Sequence, residues 1–197
     1  MTQRSEVPRG RPSSFVALVV GDAPWRRALL EGRPPRVRAL HPDDVHVTLA
    51  FLGGVSPERA RAAFDAAAAL PLRAMEARLG AIEPRGHEAR WTALSVLLED
   101  AHAVADAMTR VRDVASAAAE IAPEHRAPLP HVTIARLHAK ASPTERAAAL
   151  AWAQRTRGDR AHTETRLRLD RLALYTGRAV KEAGAPAYDV IAERRLP

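Results

Sequence analysis

His46-Val47-Thr48-Leu49 recurs 85 residues later as His131-Val132-Thr133-Ile134, with polar and aliphatic residues alternating in both copies. Alternation at period two marks a strand buried on one face and open on the other. Each copy therefore projects an imidazole and a hydroxyl from one face and aliphatic side chains from the other. A fold that holds both must cover each strand on one side only. If the open faces meet, the pocket between them contains two histidines and two hydroxyls. Those groups supply a general acid, a general base and neutral hydrogen-bond donors.

The segments around the two copies repeat as well. Ser14–Val20 reads as a buried strand, followed by a helix from Asp22-Ala23-Pro24-Trp25 to about Glu31, with Asp22 as N-cap. The first motif strand, 46–52, is followed by a helix capped by Ser56 and running through Leu70. Two extended segments, 72–82 and 90–98, are expected on either side of a turn at Glu83-Pro84-Arg85-Gly86. A long helix over 100–121 carries the apolar stripe Val104, Met108, Val111, Val114 or Ala115, Ala118 and Ile121. The proline-rich stretch 123–130 leads into the second motif strand, 131–137. A fourth helix begins at Ser142-Pro143 and runs through Gln154, and two final strands cover 164–175 and 186–194. The order helix, motif strand, helix, strand pair occurs twice. We read an α+β fold with mainly antiparallel sheets: two pseudo-symmetric lobes flanking a cleft, helices outside. Residues 1–12 form a basic tail and 13–197 a single bilobal domain. The glycine-rich turns of a parallel nucleotide-binding sheet are missing.

Composition narrows the function. The chain has no cysteine, which excludes disulfides, thiolate metal sites and cysteine nucleophiles, and fits a cytoplasmic location. The apolar run Phe15–Val20 is too short for a membrane span. A net charge of +7 favours polyanionic ligands, nucleic acid or nucleotide among them, although an arginine-rich chain whose only lysines are Lys140 and Lys181 reflects codon bias in part.

A lone histidine at a strand start is usually a surface residue. Two copies of the whole unit in matching surroundings turn His46 and His131 into candidate catalytic groups. Thr48 and Thr133 read either as β-formers or as donors to a substrate oxygen. No metal-ligating spacing joins the histidines, so no metal is expected. Arg136 lies five places after His131 and faces away from it in a regular strand, so that only a bulge or the strand exit brings it to a phosphate. Trp91, Phe51 and Tyr175 are either core residues or surfaces for stacking on bases. The arginine-rich segment 155–171 reads as a solvated face or as a basic groove.

His46-Val47-Thr48-Leu49-Ala50-Phe51-Leu52-Gly53 and Pro130-His131-Val132-Thr133-Ile134-Ala135-Arg136 resemble the paired motifs of the two-histidine phosphoesterase superfamily. The nearest branch is the bacterial and archaeal RNA 2′,3′-cyclic phosphodiesterases. Phe15-Val16-Ala17-Leu18, Pro42-Asp43-Asp44-Val45 and Gly184…Tyr188-Asp189-Val190 add to the likeness. Ala39 and Pro128 depart from it, standing where members often carry a tryptophan and a phenylalanine. The resemblance implies a monomeric enzyme without a cofactor that opens the 2′,3′-cyclic phosphate of an RNA or oligonucleotide end. In that scheme His46 is the proton donor, His131 the proton acceptor, and Thr48, Thr133 and Arg136 hold the phosphate. Reverse 2′-5′ joining uses the same proton positions. Small cyclic nucleotides, 2′-5′ oligonucleotides and a non-catalytic nucleotide- or RNA-binding module are the alternatives.

Overall fold

The computed structural model describes residues 11–21, 23–86, 91–156, 160–179, 182 and 184–197. Asp22, Lys181 and most of the expected N-terminal tail lie outside these. Every strand pairing is antiparallel. A four-stranded sheet contains, in spatial order, β3 (His46–Gly53), β1 (Ser14–Val19), β8 (Arg171–Gly177) and β9 (Tyr188–Arg195). A five-stranded sheet contains β2 (Val37–Ala39), β6 (His131–Leu137), β5 (Ala93–Glu99), β4 (Met75–Arg85) and β7 (Arg166–Leu169). The α+β reading with antiparallel sheets holds.

Helix starts follow the capping chemistry in the sequence where Ser56 and Ser142 precede a proline, but not at the first helix. α1 (Pro24–Leu30) begins with proline after Ala23, which takes the N-cap position without a side-chain bond. In α2 (Pro57–Ala69) Ser56 accepts from the Arg59 amide. α3 (His102–Ala118) buries Val104, Met108, Val111 and Ala115 along one stripe. In α4 (Pro143–Arg155) Ser142 and Glu145 form a reciprocal capping box. A short α5 (Arg160–Thr163), not expected from the sequence, precedes β7. One continuous core joins the helices to the inner faces of both sheets, with Leu18, Leu49, Leu79, Leu94, Ile134 and Leu174 among its fully buried side chains.

Three expectations need correction. The segment 83–86 is not a turn up to Arg85: β4 continues through it, with Pro84 opposite Leu94 and Arg85 opposite Ala93. The single strand expected over 164–175 is two, since β7 ends at Leu169 in one sheet and β8 begins at Arg171 in the other. The two repeats also exchange strand pairs. β4 and β5, which follow the first motif, join the sheet of the second, and β8 and β9, which follow the second, join the sheet of the first.

Candidate active site

Both motif strands carry the same irregularity. In β3 the pairing with β1 slips between Val16↔Ala50 and Ala17↔Thr48, leaving Leu49 and Ala50 both buried. In β6 the pairing with β5 slips between Leu94↔Ala135 and Ser95↔Thr133, leaving Ile134 and Ala135 both buried. A bulge of this kind inserts one residue and flips the alternation beyond it. Phe51 and Arg136 therefore return to the face of the preceding histidine and threonine, and both are exposed.

The two faces border a cavity of about 880 Å³. β3 contributes His46, Thr48 and Phe51, and β6 contributes Thr133 and Arg136. Arg38 and Ala39 of β2, Phe15 of β1 and the segment from Gly184 to Tyr188 complete much of the wall. His131 does not line this cavity, but it sits on the Thr133 face of β6, and its charge is felt at His46. Of the described residues between 155 and 171, none lines the cavity. Arg166 and Arg168 are exposed on the edge strand β7, so the described residues of this segment add no charge to the cavity wall.

His46 stands in an aromatic box. Its ring centroid is 4.5 Å from that of Phe15, 5.1 Å from Tyr175 and 5.9 Å from Tyr188, the last edge-on. Burial lowers its pKa from 6.5 to about 4. The nearby Asp44 carbonyl opposes that shift, and the positive charges of His131 and Arg136 add to it. Nδ1 of His46 is buried without a hydrogen-bond partner. His131 differs: its Nδ1 lies 2.7 Å from the Leu129 carbonyl, to which it donates. That bond leaves Nε2 as the unprotonated nitrogen of the neutral ring. Burial also lowers the His131 pKa, and Arg85 and Arg112 lower it further.

Surrounding groups fix this geometry. Ser95 Oγ lies 3.0 Å from Thr133 Oγ1 and orients the hydroxyl. Arg112 donates from Nε to the Leu49 carbonyl at the bulge and from a terminal nitrogen to the Arg126 carbonyl in the approach to His131. Buried Asp44 accepts from the Ala187 and Tyr188 amides, so the turn before β3 holds the 184–188 wall. Of the three aromatic candidates, Phe51 is 58% exposed in the cavity wall, whereas Tyr175 is buried beside His46. Trp91 is core, with the Arg146 guanidinium 5.7 Å from its ring centroid.

Arg38, Arg85, Ser95, Arg112 and the aromatic box were not singled out from the sequence. The alternation of β1 carries one usable signal, since Phe15, Ala17 and Val19 share the face that borders His46. Among the described residues no group of three or more histidine and carboxylate side chains could hold a metal ion. No helix among them is long and apolar enough to cross a membrane.

No protein-family model and no curated protein matches the sequence. Solved structures do match. Escherichia coli LigT complexed with 3′-AMP superposes with a TM-score of 0.61 at 20% identity, over 95% of this chain and 99% of LigT. A Thermus thermophilus protein gives 0.64 at 20% identity, over 93% and 97%. A structure described as a phosphoesterase gives 0.63 at 18% identity, over 94% and 98%. The chain shares with them the two-histidine phosphoesterase fold.

Proposed function

We propose that this chain is a two-histidine phosphoesterase that hydrolyses the 2′,3′-cyclic phosphate of an RNA or oligonucleotide end to a 2′-phosphomonoester without a metal. One observation carries this reading: His46, Thr48, Thr133 and Arg136 line one cavity, and His131 stands on the Thr133 face of β6 with its Nδ1 held 2.7 Å from the Leu129 carbonyl. Two imidazoles on equivalent motif strands suit an in-line displacement, in which one proton is taken and one given on opposite sides of phosphorus.

In this mechanism His131 Nε2 takes a proton from water as the water oxygen bonds to phosphorus. The bond from phosphorus to the 3′ oxygen breaks, and protonated His46 gives its proton to that oxygen. Thr48 and Thr133 donate to the non-bridging oxygens, whose charge grows in the transition state, and Arg136 neutralises part of it. Phe51 offers an exposed ring for a base. That E. coli LigT was crystallised with 3′-AMP supports a nucleotide in this cavity.

The test is phosphorus NMR of the reaction with a dinucleotide ending in a 2′,3′-cyclic phosphate, in EDTA. The expected product is the 2′-phosphate, with His46→Ala and His131→Ala each slower by about 10²–10⁴-fold. An aryl phosphodiester with a good leaving group restores much of the rate to whichever variant lacks the acid, His46→Ala in this assignment. Loss of turnover in EDTA, recovered with added metal, rejects the mechanism.

A further inference from the structure

We infer that Arg38, standing opposite Arg136, marks a second phosphate subsite, which holds the phosphate joining the substrate's terminal nucleotide to its 5′ neighbour, with Arg136 shared between this phosphate and the cyclic one. The inference rests on the proposed cyclic-phosphate reading and specifies its substrate as an oligonucleotide end. Arg38 is the middle residue of β2 and stands directly opposite Arg136 in the antiparallel register with β6. Val37 and Leu137 are buried while Arg38 and Arg136 are exposed, so both guanidinium groups rise from the cleft face. Both line the cavity.

Residues directly opposite on antiparallel strands have Cβ atoms about 4.5–5.5 Å apart, and like charges placed there are destabilising. Among the described residues neither arginine has an ion-pair partner, although nearby arginines do: Arg36 meets Glu145 at 2.9 Å, and Arg178 meets Asp189 at 2.7 Å. Of the two carboxylates in the cavity wall, Asp44 is engaged by backbone amides, and Glu182 belongs to the segment before β9. Two facing cations with no direct ion pair among the described residues are what an anion site requires. Guanidinium forks match phosphate oxygens in shape as well as charge. The cavity, at about 880 Å³, is near the upper end of the roughly 300–1,000 Å³ that encloses a drug-sized ligand, which leaves space beyond one nucleotide. Arg136 follows Thr133 along the same face, so the subsite adjoins the place proposed for the cyclic phosphate.

The test compares kcat/KM for three substrates: a 2′,3′-cyclic mononucleotide, a dinucleotide ending in a 2′,3′-cyclic phosphate, and that dinucleotide with an uncharged methylphosphonate linkage. The wild-type chain is expected to favour the charged over the uncharged linkage by about tenfold, the scale of one charge-assisted contact. Arg38→Gln is expected to erase that preference, and Arg38→Lys to retain part of it. For the charged dinucleotide, the slope of log kcat/KM against log salt falls by about 0.7 in Arg38→Gln. Equal losses on all three substrates, or a wild-type chain indifferent to the linkage, overturn the inference. Failure to turn over any cyclic phosphate instead refutes the proposed function. In that event, equilibrium binding of 3′-phosphorylated dinucleotides decides the role of Arg38: a charged-linkage preference lost in Arg38→Gln supports the subsite, and equal binding of both linkages by the wild-type chain overturns it.

Discussion

At the scale of single residues, the two histidines are alike in sequence and unlike in surroundings. His46 is packed among three rings and lowered to about 4, whereas His131 is lowered by burial and by Arg85 and Arg112. The proposed reaction needs one protonated and one neutral imidazole, a combination that peaks between the two pKa values. Both lie below 6.5 in the free protein. The kcat/KM profile, which reports the free protein, should therefore peak on the acid side of 6.5 and fall about tenfold per pH unit on the alkaline side. A bound phosphate favours the protonated rings, so the kcat profile should sit at higher pH. A kcat/KM that climbs from pH 6 to pH 8 would contradict these environments. The motif repeat made the histidines and threonines legible as a pair. The aromatic box was not legible, because Phe15, Tyr175 and Tyr188 lie far apart in sequence and meet His46 only through strand pairing.

At the scale of elements, the shared bulge decides which residues enter the cleft. Regular alternation turns Arg136 away and only a bulge brings it back, and the slip at Ile134 and Ala135 is that bulge. Two adjacent small or aliphatic residues give no unambiguous sign of such a slip, since a regular strand accepts them too. The break at Asp170 was hidden for a similar reason: leucines alternate on both sides of it, and only the sheet to which each strand pairs separates them. Asp44 shows how elements are held in register, joining the turn before β3 to the start of β9 through two backbone amides. Asp44→Ala leaves both amides without their acceptor, at a cost of about 1–3 kcal/mol. In a chain of this length each kcal/mol lowers the melting temperature by roughly 2–4 °C. KM should rise several-fold as the 184–188 wall loosens, with kcat changing less. A large fall in kcat at unchanged KM would show instead that Asp44 acts through His46.

At the scale of the whole molecule, the exchange of strand pairs binds the lobes together. Each sheet draws strands from both repeats, and the first and last strands, β1 and β9, both belong to the sheet that carries the first motif. A linear reading finds the repeats and assigns each motif the strands next to it. Long-range pairing makes the opposite assignment, because only that arrangement joins β1 to both β3 and β8. The core reflects this, running unbroken from Leu49 of β3 to Leu79 of β4 and Trp152 of α4. Residues 13–197 should consequently unfold as one unit. The tryptophans allow a direct test, for Trp25 lies on α1, Trp91 just before β5 and Trp152 on α4, and none lies on the four-stranded sheet. Leu49→Ala empties a fully buried site on that sheet, at a cost of about 2–5 kcal/mol. In urea it should move the midpoint seen by tryptophan fluorescence as far as the midpoint seen by far-ultraviolet circular dichroism. Leu79→Ala, in the other sheet, should move both midpoints in the same way. If Leu49→Ala splits the two probes and leaves the fluorescence midpoint in place, the lobes unfold separately, and the cleft between them depends on docking rather than on a shared core.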